Sequence, residues 1–334
     1  MQHERQNDFR RNEELEDLLE EINGILEPAE DGILKNYVKP RYPVVFIVGC
    51  ARAGSTLTLQ WLANTGRFAY PTNLLSRFYA APYIGARIQR LLTDPRFNFR
   101  DEFSDLDSHV SFTSELGKTR GTLAPNEFWY FWRRFFPYGD IQQLDEDALQ
   151  KVDAVKFVSE LAALESALEK PLVLKAHIIN WNIPFVANIF DKVLFIHIIR
   201  QPLHNAQSLL ESRKKYFGTI DRWYSFKPPE FEKLKECDPY EQVAGQVYFT
   251  NEAISKGLDQ IHDNYWMKVN YEEFCKQPAA VFETIKEKFN KQDCPVNWEY
   301  TGEDTFKSTN QVRLSEEETR RVMNAYTLFA QGAG

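Results

Sequence analysis

The segment Val44-Val45-Phe46-Ile47-Val48-Gly49-Cys50-Ala51-Arg52-Ala53-Gly54-Ser55-Thr56-Leu57 constrains the fold more than any other. Five apolar residues, mostly β-branched, run into a turn of small residues, and Leu57, Leu59, Trp61 and Leu62 make the next stretch apolar-periodic. The pattern predicts a buried strand, a tight loop and a helix, the order that a phosphate-binding loop requires. Gly49 and Gly54 stand at Gly-x-x-x-x-Gly spacing, where the backbone must come close to an oxyanion. The helix that follows would aim its free N–H groups, and the positive end of its dipole, at that anion. The lysine expected after the second glycine is absent, because Ser55 holds its place, and the cation of the loop is Arg52. The loop is expected to hold a phosphate-like group, and not ATP in the usual way.

A chain of 334 residues can be one large domain or two, and its hydrophobic share of 43% with 26% charged residues is that of a globular protein. No apolar run approaches the roughly 20 residues of a membrane span. The start, Met1-Gln2-His3-Glu4-Arg5, is polar and carries no secretory pattern. Cys50, Cys237, Cys275 and Cys294 are scattered, which reads as reduced thiols in a cytoplasmic protein rather than staples or a zinc site. The formal charge of -8 argues against generic nucleic-acid binding. Residues 1–40 hold eleven acids against five bases, so the remainder is nearly balanced and leaves room for a basic pocket.

Along the chain, Leu15, Leu18, Leu19, Ile22, Ile25 and Leu26 mark an amphipathic helix over 13–26, ending near Gly24 to Pro28. It is read as packing on its own domain, with a homodimer or partner contact as the alternative. A linker from Glu30 to Pro43 follows, so residues 1–42 form a helix-and-linker extension and 43–334 a single domain. Residues 70–150 lack a βα rhythm and read as a mainly helical insertion. In it, Asn73–Leu92 looks helical, and a stretch with Asp101, Asp105 and Asp107 looks like loop. The run Glu127-Phe128-Trp129-Tyr130-Phe131-Trp132-Arg133-Arg134-Phe135-Phe136 is read as core or a lid over it, with an acceptor pocket as the functional alternative. The rhythm returns with a helix at 145–169, strands at 171–175, 192–200 and 266–270, and helices at 203–214, 227–262, 278–289 and toward 328. The expected fold is α/β, three layers around a central parallel sheet.

Three short patterns fall at the C-terminal ends of predicted parallel strands, where open α/β sheets bind ligands. They are Arg52 to Thr56, Lys175-Ala176-His177, and Arg200-Gln201-Pro202 followed by Ser208. A lone arginine there is usually an ion-pair partner and a lone histidine a structural residue. Together they make two separate anion grips, which suit a ligand with phosphates at two ends.

On these residues the chain resembles the PAPS-dependent sulfotransferases, whose P-loop-type nucleotide-binding fold the resemblance implies. Arg52-Ala53-Gly54-Ser55-Thr56-Leu57 is similar to the family's 5′-phosphosulfate loop, and Ile199-Arg200-Gln201-Pro202 with Ser208 to its 3′-phosphate motif. Lys175-Ala176-His177 is similar to the Lys-Thr-His segment of the cytosolic branch. Val269-Asn270-Tyr271-Glu272-Glu273-Phe274, followed by Pro278, resembles a Tyr-Glu-Asp segment. The resemblance covers about a third of the chain. It implies that Arg52, aided by Lys175, neutralises the bridging oxygen as the sulfuryl group leaves. Ser55, Thr56 and the loop amides would hold the 5′-phosphate, Arg200 and Ser208 the 3′-phosphate, and Tyr271 would reach the adenine. His177 would be the general base, with Glu115 or Glu127 as the glutamate that other branches use. Leu57 stands where the cytosolic branch often has Trp, and Lys307 or Arg313 would replace an Arg-Lys-Gly loop that has no clear match here. That branch's C-terminal dimer motif has no counterpart either.

The expected activity is therefore metal-free, in-line sulfuryl transfer from PAPS to a small-molecule, glycan or lipid acceptor. A P-loop phosphotransferase would require a lysine after Gly54 and a metal-holding Asp at a later strand end, where this chain has Ser55 and Arg200. A nucleotide-binding module without catalysis would keep Arg200 and Ser208 but should have lost the Arg52 loop or the candidate base.

Overall fold

Four parallel strands carry the molecule in the computed structural model, which describes residues 6, 9, 12–97, 100, 102, 103, 106 and 111–332. Their order is β4-β1-β5-β6, with β1 (Val44–Val48) fully buried between β4 (Val173–Lys175) and β5 (Val193–Ile199), and β6 (Trp266–Asn270) beyond β5. Val45 lies opposite both Val173 and Leu194, and Ile199 lies opposite Asn270. This register brings the residues just after β1, β4, β5 and β6 to one edge of the sheet. Short strands β2 (Ser114–Glu115) and β3 (Lys118–Thr119) form a separate antiparallel hairpin.

Because side chains alternate along a strand, the sheet buries two faces. Val44, Phe46, Leu174 and Phe195 face the insertion and α6 (Ala154–Leu168), where Phe131, Trp132 and Phe157 are buried. Val45, Ile47, Leu194 and Ile196 pack with residues of α2 (Ser55–Asn64) and α12 (Pro278–Asn290), including Trp61, Phe282 and Phe289. Each fully buried Phe or Leu contributes about 1.5–3 kcal/mol relative to exposure, so the alternation of β1 fixes a three-layer α/β arrangement. A third cluster joins Cys50 to α8 (Pro202–Phe217), α10 (Pro239–Leu258) and α13 (Glu316–Gln331).

α1 (Glu13–Leu34) runs past the end expected near Gly24 to Pro28, with Pro28 inside it. Its second half is held by tertiary contacts. Buried Glu30 accepts from the Tyr83 and Ile84 N–H groups (2.7 and 3.1 Å) at the start of α3 (Pro82–Thr93), and Asn23 donates to the Arg77 carbonyl (2.8 Å). Glu30 thus satisfies amides that a helix start leaves unpaired. The helix packs on its own chain, while Leu18 and Ile25 stay exposed.

The insertion holds α3, α4 (Trp129–Phe135), α5 (Glu146–Gln150) and the β2–β3 hairpin, which the sequence pattern did not predict. Asp101, Asp105 and Asp107 lie outside the described residues. The single helix expected at 145–169 is two, because Asp153 caps α6 by accepting from the Lys156 N–H (2.9 Å). The helical stretch expected at 227–262 is likewise divided: α9 (Phe231–Leu234) ends before Asp238 opens α10 with a capping box to Glu241. Between β4 and β5 lies α7 (Ile183–Asn188), and α11 (Tyr271–Lys276) follows β6.

Candidate active site

The loop after β1 is shaped from outside by side chains that take up its carbonyls. Asn180 bridges Gly49, donating to its carbonyl (2.9 Å) and accepting from its N–H (3.3 Å). Asn205 donates to the Ala51 carbonyl (2.7 Å) and Arg200 Nη1 to the Arg52 carbonyl (3.1 Å). Arg52 adopts a left-handed φ of 69°, a conformation that costs a non-glycine residue about 1 kcal/mol or more. Gly54 begins α2 at φ 110° with no side-chain cap, so amides of the first turn are left for a ligand. A Cβ on Gly54 would stand 2.4 Å from the Tyr271 ring, so only glycine lets the loop and Tyr271 meet. Ala53 and Ser55 are buried, and Leu57 packs against the apolar cluster under α2.

Arg200 follows β5 and is buried, and burial pushes its pKa down while Tyr271 and Glu272 oppose that shift. Its guanidinium lies 4.9 Å from the Tyr271 ring centre, a cation–π contact. Nε donates to Asn310 Oδ1 (2.8 Å) and Nη2 to Thr309 Oγ1 (3.1 Å). With the Arg52 carbonyl these bonds use three of its five N–H donors and leave two for an anion. Arg52 Nε donates to Ser208 Oγ (3.2 Å), so the structure joins two residues that the motifs assign to opposite phosphates. Lys307 is exposed in the segment that supplies Thr309 and Asn310, and Arg313 is ion-paired to Glu211 (2.5 Å). The sequence pattern singled out neither Thr309 nor Asn310 and gave Asn180 and Asn205 no role. Their only signal was polar residues near a motif.

Lys175, at the end of β4, donates from Nζ to Thr56 Oγ1 (3.1 Å) and forms an ion pair with Glu127. It therefore connects the phosphate loop to the aromatic run of the insertion. That run divides. Phe128, Phe131, Phe135 and Phe136 are core, Glu127 and Trp129 line a cleft with Lys175, His177, Ile178 and Phe226, and buried Trp132 belongs to both. The cleft measures about 20 Å³, room for one water-sized group. His177 is buried in it with Nε2 unpaired, and burial, then the neighbouring Lys175 charge, holds its pKa well below 6.5. Its ring at neutral pH is thus the neutral form that can accept a proton.

Over this cluster bends the tip of the hairpin. A Cβ on Gly117 would lie 2.8 Å from Glu127 Oε1 and 3.4 Å from Lys175 Nζ. Glu115 sits on the exposed strand of that hairpin, outside the cleft lining, and its ion pair with Lys215 (2.5 Å) lowers its pKa. Phe226, which sequence reasoning missed, is the centre of an aromatic group with Trp129, Tyr138, Trp181 and His177 at 5.6–6.4 Å. A larger depression, about 310 Å³, is elsewhere, beside the Lys39–Asp191 ion pair, and contains none of these residues. Its size does not make it the chemical site, because the convergent charged and orphaned groups are here. Among the described residues no group of three His, Cys, Asp or Glu side chains could hold a metal ion, and no helix is long and apolar enough to cross a membrane.

Solved structures similar to the chain include sulfotransferase STF9 from Mycobacterium avium, at 16% identity and a TM-score of 0.49, covering 88% of this chain and 70% of that one. Others are the sulfotransferase domain of the Synechococcus PCC 7002 olefin synthase, at 17% and 0.40 with 87% and 96% covered, and that of the curacin biosynthetic pathway, at 16% and 0.42 with 86% and 99% covered. No curated protein matches the chain. The model of the sulfotransferase family matches residues 43–292, which span β1, both arginine sites, the cleft and β6. The chain belongs to the sulfotransferase family, whose members are enzymes of sulfuryl transfer.

Proposed function

We propose that the chain transfers the sulfuryl group of PAPS directly to a hydroxyl or amine, in line, with a general base and without a metal ion. The observation that carries this reading is the meeting of two cationic grips: Arg52 reaches Ser208 while Arg200 holds the Arg52 carbonyl. A donor with phosphates at both ends of a nucleoside would bind across that junction. Ala53, Gly54, Ser55 and Thr56 would hold the 5′-phosphate on the start of α2. Arg200 and Ser208 would take the 3′-phosphate, with Thr309 and Asn310 setting the plane of the guanidinium. Tyr271, packed against both Gly54 and Arg200, would border the adenine, and Leu57 and Lys307 are assigned to the same donor site. Charge on the bridging oxygen would be met by Arg52 and Lys175.

His177 would take the acceptor proton, and its unpaired Nε2 supports that role. A second reading makes Glu127 the base, favoured by its ion pair with Lys175 beside Thr56. Glu115, bound to Lys215 outside the cleft, is the weaker candidate. Residues 43–334 would form the catalytic unit, with 70–150 inserted in it, and the exposed Leu18 and Ile25 of α1 would be the surface for a homodimer. Four cysteines free of disulfides accord with a cytoplasmic setting.

The test is calorimetric binding of 3′-phosphoadenosine 5′-phosphate (PAP), the spent donor, to wild type and Arg200→Ala, with ATP as competitor. Micromolar or tighter binding, about a hundredfold weaker in the variant and not matched by ATP, is expected. Preference for ATP with magnesium, or no nucleotide binding, would overturn the proposal in favour of a phosphotransferase or a module without catalysis.

A further inference from the structure

We infer that Arg213, outside the proposed donor and acceptor sites, is the receptor of a halide ion such as chloride, held inside the fold. Arg213 lies near the C-terminal end of α8 and is fully buried. A buried guanidinium is costly unless a counter-charge or complete hydrogen bonding offsets it. Here the partners are neutral. Nη1 donates to the Ile220 carbonyl (3.1 Å) and to Gln242 Oε1 on α10 (2.7 Å), and the Trp223 ring centre lies 5.2 Å from the guanidinium carbon. Among the described residues no carboxylate forms an ion pair with it. Asp221, whose charge bears on it, is exposed and accepts from Thr219 Oγ1 (2.5 Å). Burial pulls the Arg213 pKa down to about 10, which leaves the group charged at neutral pH.

One edge of the group is open. Nε and Nη2 are buried and have no protein partner. In a guanidinium these two nitrogens direct N–H bonds side by side, the edge that grips an anion. Because Arg213 has no exposed surface, its occupant is enclosed as well, which favours a single atom over a carboxylate with a carbon body. A phosphate or sulfate would bring further oxygens that need donors. The side-chain donors of this region are already given to carbonyls: Gln242 Nε2 to Cys237 (2.9 Å), Gln246 Nε2 to Tyr224 and Phe226 (2.9 and 3.0 Å), and Trp223 Nε1 to Phe226 (3.1 Å). A water could accept from the same edge, but it would leave the charge uncompensated.

The ion would brace three elements at once. α8 supplies Arg213, α10 supplies Gln242 and Gln246, and the segment between them supplies Ile220, Trp223 and Phe226. In that segment Ser225 sits at a left-handed φ of 71°, which a non-glycine residue keeps where its surroundings hold it. The Phe226 ring that follows stands 6.4 Å from that of His177. A halide at Arg213 is therefore a structural ligand, and it takes no part in bond making.

The experiment follows urea unfolding of the full chain at fixed pH and ionic strength as sodium gluconate is exchanged for sodium chloride or bromide. Bromide-soaked crystals of the wild type are examined in parallel by anomalous diffraction. Stability should rise with the logarithm of halide concentration above the dissociation constant, as a ligand of the folded state alone requires. Arg213→Gln should abolish the rise. Arg213→Lys, which keeps the charge but not the fork, should need about tenfold more halide for the same gain. The bromide peak should touch both Nε and Nη2. Stability indifferent to halide, a rise that persists in Arg213→Gln, or a water in the place of bromide overturns the proposal. A bromide peak without a halide effect in solution means binding at crystal concentration only, and overturns it too. Should Arg213→Gln not fold, the wild type and Arg213→Lys still decide. The sulfuryl-transfer reading is tested separately, by PAP binding.

Discussion

The proposed donor half and the proposed acceptor half of this site are built in opposite ways. Around the loop after β1, polar groups are paired inside the protein: Asn180, Asn205 and Arg200 occupy three successive stretches of its backbone, and Thr309 with Asn310 occupies Arg200. In the cleft at the end of β4, walls are largely aromatic, one ion pair stands at the rim, and ring nitrogens of His177 and Trp132 are unpaired. The first design fixes dipoles before the ligand arrives, which suits a donor that is always the same and heavily charged. The second leaves only what the ligand must complete, which suits selection of an acceptor by shape. On the proposed function, donor binding and acceptor selection are divided between two sets of side chains that Lys175 joins through its link to Thr56.

The largest effect expected of any change that breaks this division is in the cleft. His177→Gln should lower kcat by about 100- to 10,000-fold, the range for a lost general base, while PAP binding stays as in wild type. Glu127→Gln should cost kcat only a few-fold. Steady-state rates with both variants decide the matter: the reverse pattern would assign the base to Glu127, and a loss of PAP affinity in His177→Gln would mean the two halves are not separate.

Next in size is Gly54→Ala. The new Cβ would meet the Tyr271 ring at 2.4 Å, and φ 110° strains any L side chain. A loss of roughly 2–3 kcal/mol in denaturant unfolding is expected, together with weakened PAP binding. A stable variant with normal PAP affinity would show that Tyr271 and the loop can part without consequence, and so that the donor cradle is less rigid than its hydrogen bonds imply.

How much of this could be read from the chain follows the same division. The strand, loop and helix of the proposed donor half were legible because their signals are local: β-branched residues, two glycines at fixed spacing and a following helix start lie within Val44–Leu57, and Arg200 and Tyr271 each follow directly on a strand. Parallel register then brings them together without further information. The cleft was not legible as a whole, because Trp129, His177 and Phe226 come from three distant segments and only tertiary packing joins them. The hairpin was missed for a related reason. Its strands are two residues each, too short to show alternation, and its Leu116-Gly117 turn is the only local signal. α1 outran its expected end because Glu30 and Leu34, buried against the chain, outweigh the breaking tendency of Gly24 and Pro28. Local punctuation predicts an end only where nothing packs beyond it.

Asn180→Ala sharpens the comparison from the donor side at smaller cost. The change leaves the Gly49 carbonyl and N–H without their partner at a buried position, where one unsatisfied group costs about 1–3 kcal/mol. PAP affinity should fall while kcat at saturating donor is unchanged. A lowered kcat would show that loop shape is transmitted to the cleft, since Asn180 lies three residues beyond His177.

The smallest effect is a pH dependence, and its sign follows from burial. The His177 pKa is held well below 6.5 by desolvation and by Lys175, whereas the unfolded chain titrates near 6.5. Above pH 6.5 the ring is neutral in both states and His177 adds no slope. As pH falls below 6.5 the unfolded chain takes up a proton that the folded one refuses, so the folded state loses stability. The loss between pH 6.5 and 5.5 is about 1 kcal/mol from this one group. His197, buried on β5 and lowered to about 4, adds a share of the same sign, so wild type should keep part of the slope when His177 is replaced. Chemical denaturation of wild type and His177→Gln at both pH values isolates the difference. Equal slopes would mean that His177 is hydrated in solution, which would also remove the physical basis for a neutral, desolvated ring as the proposed base.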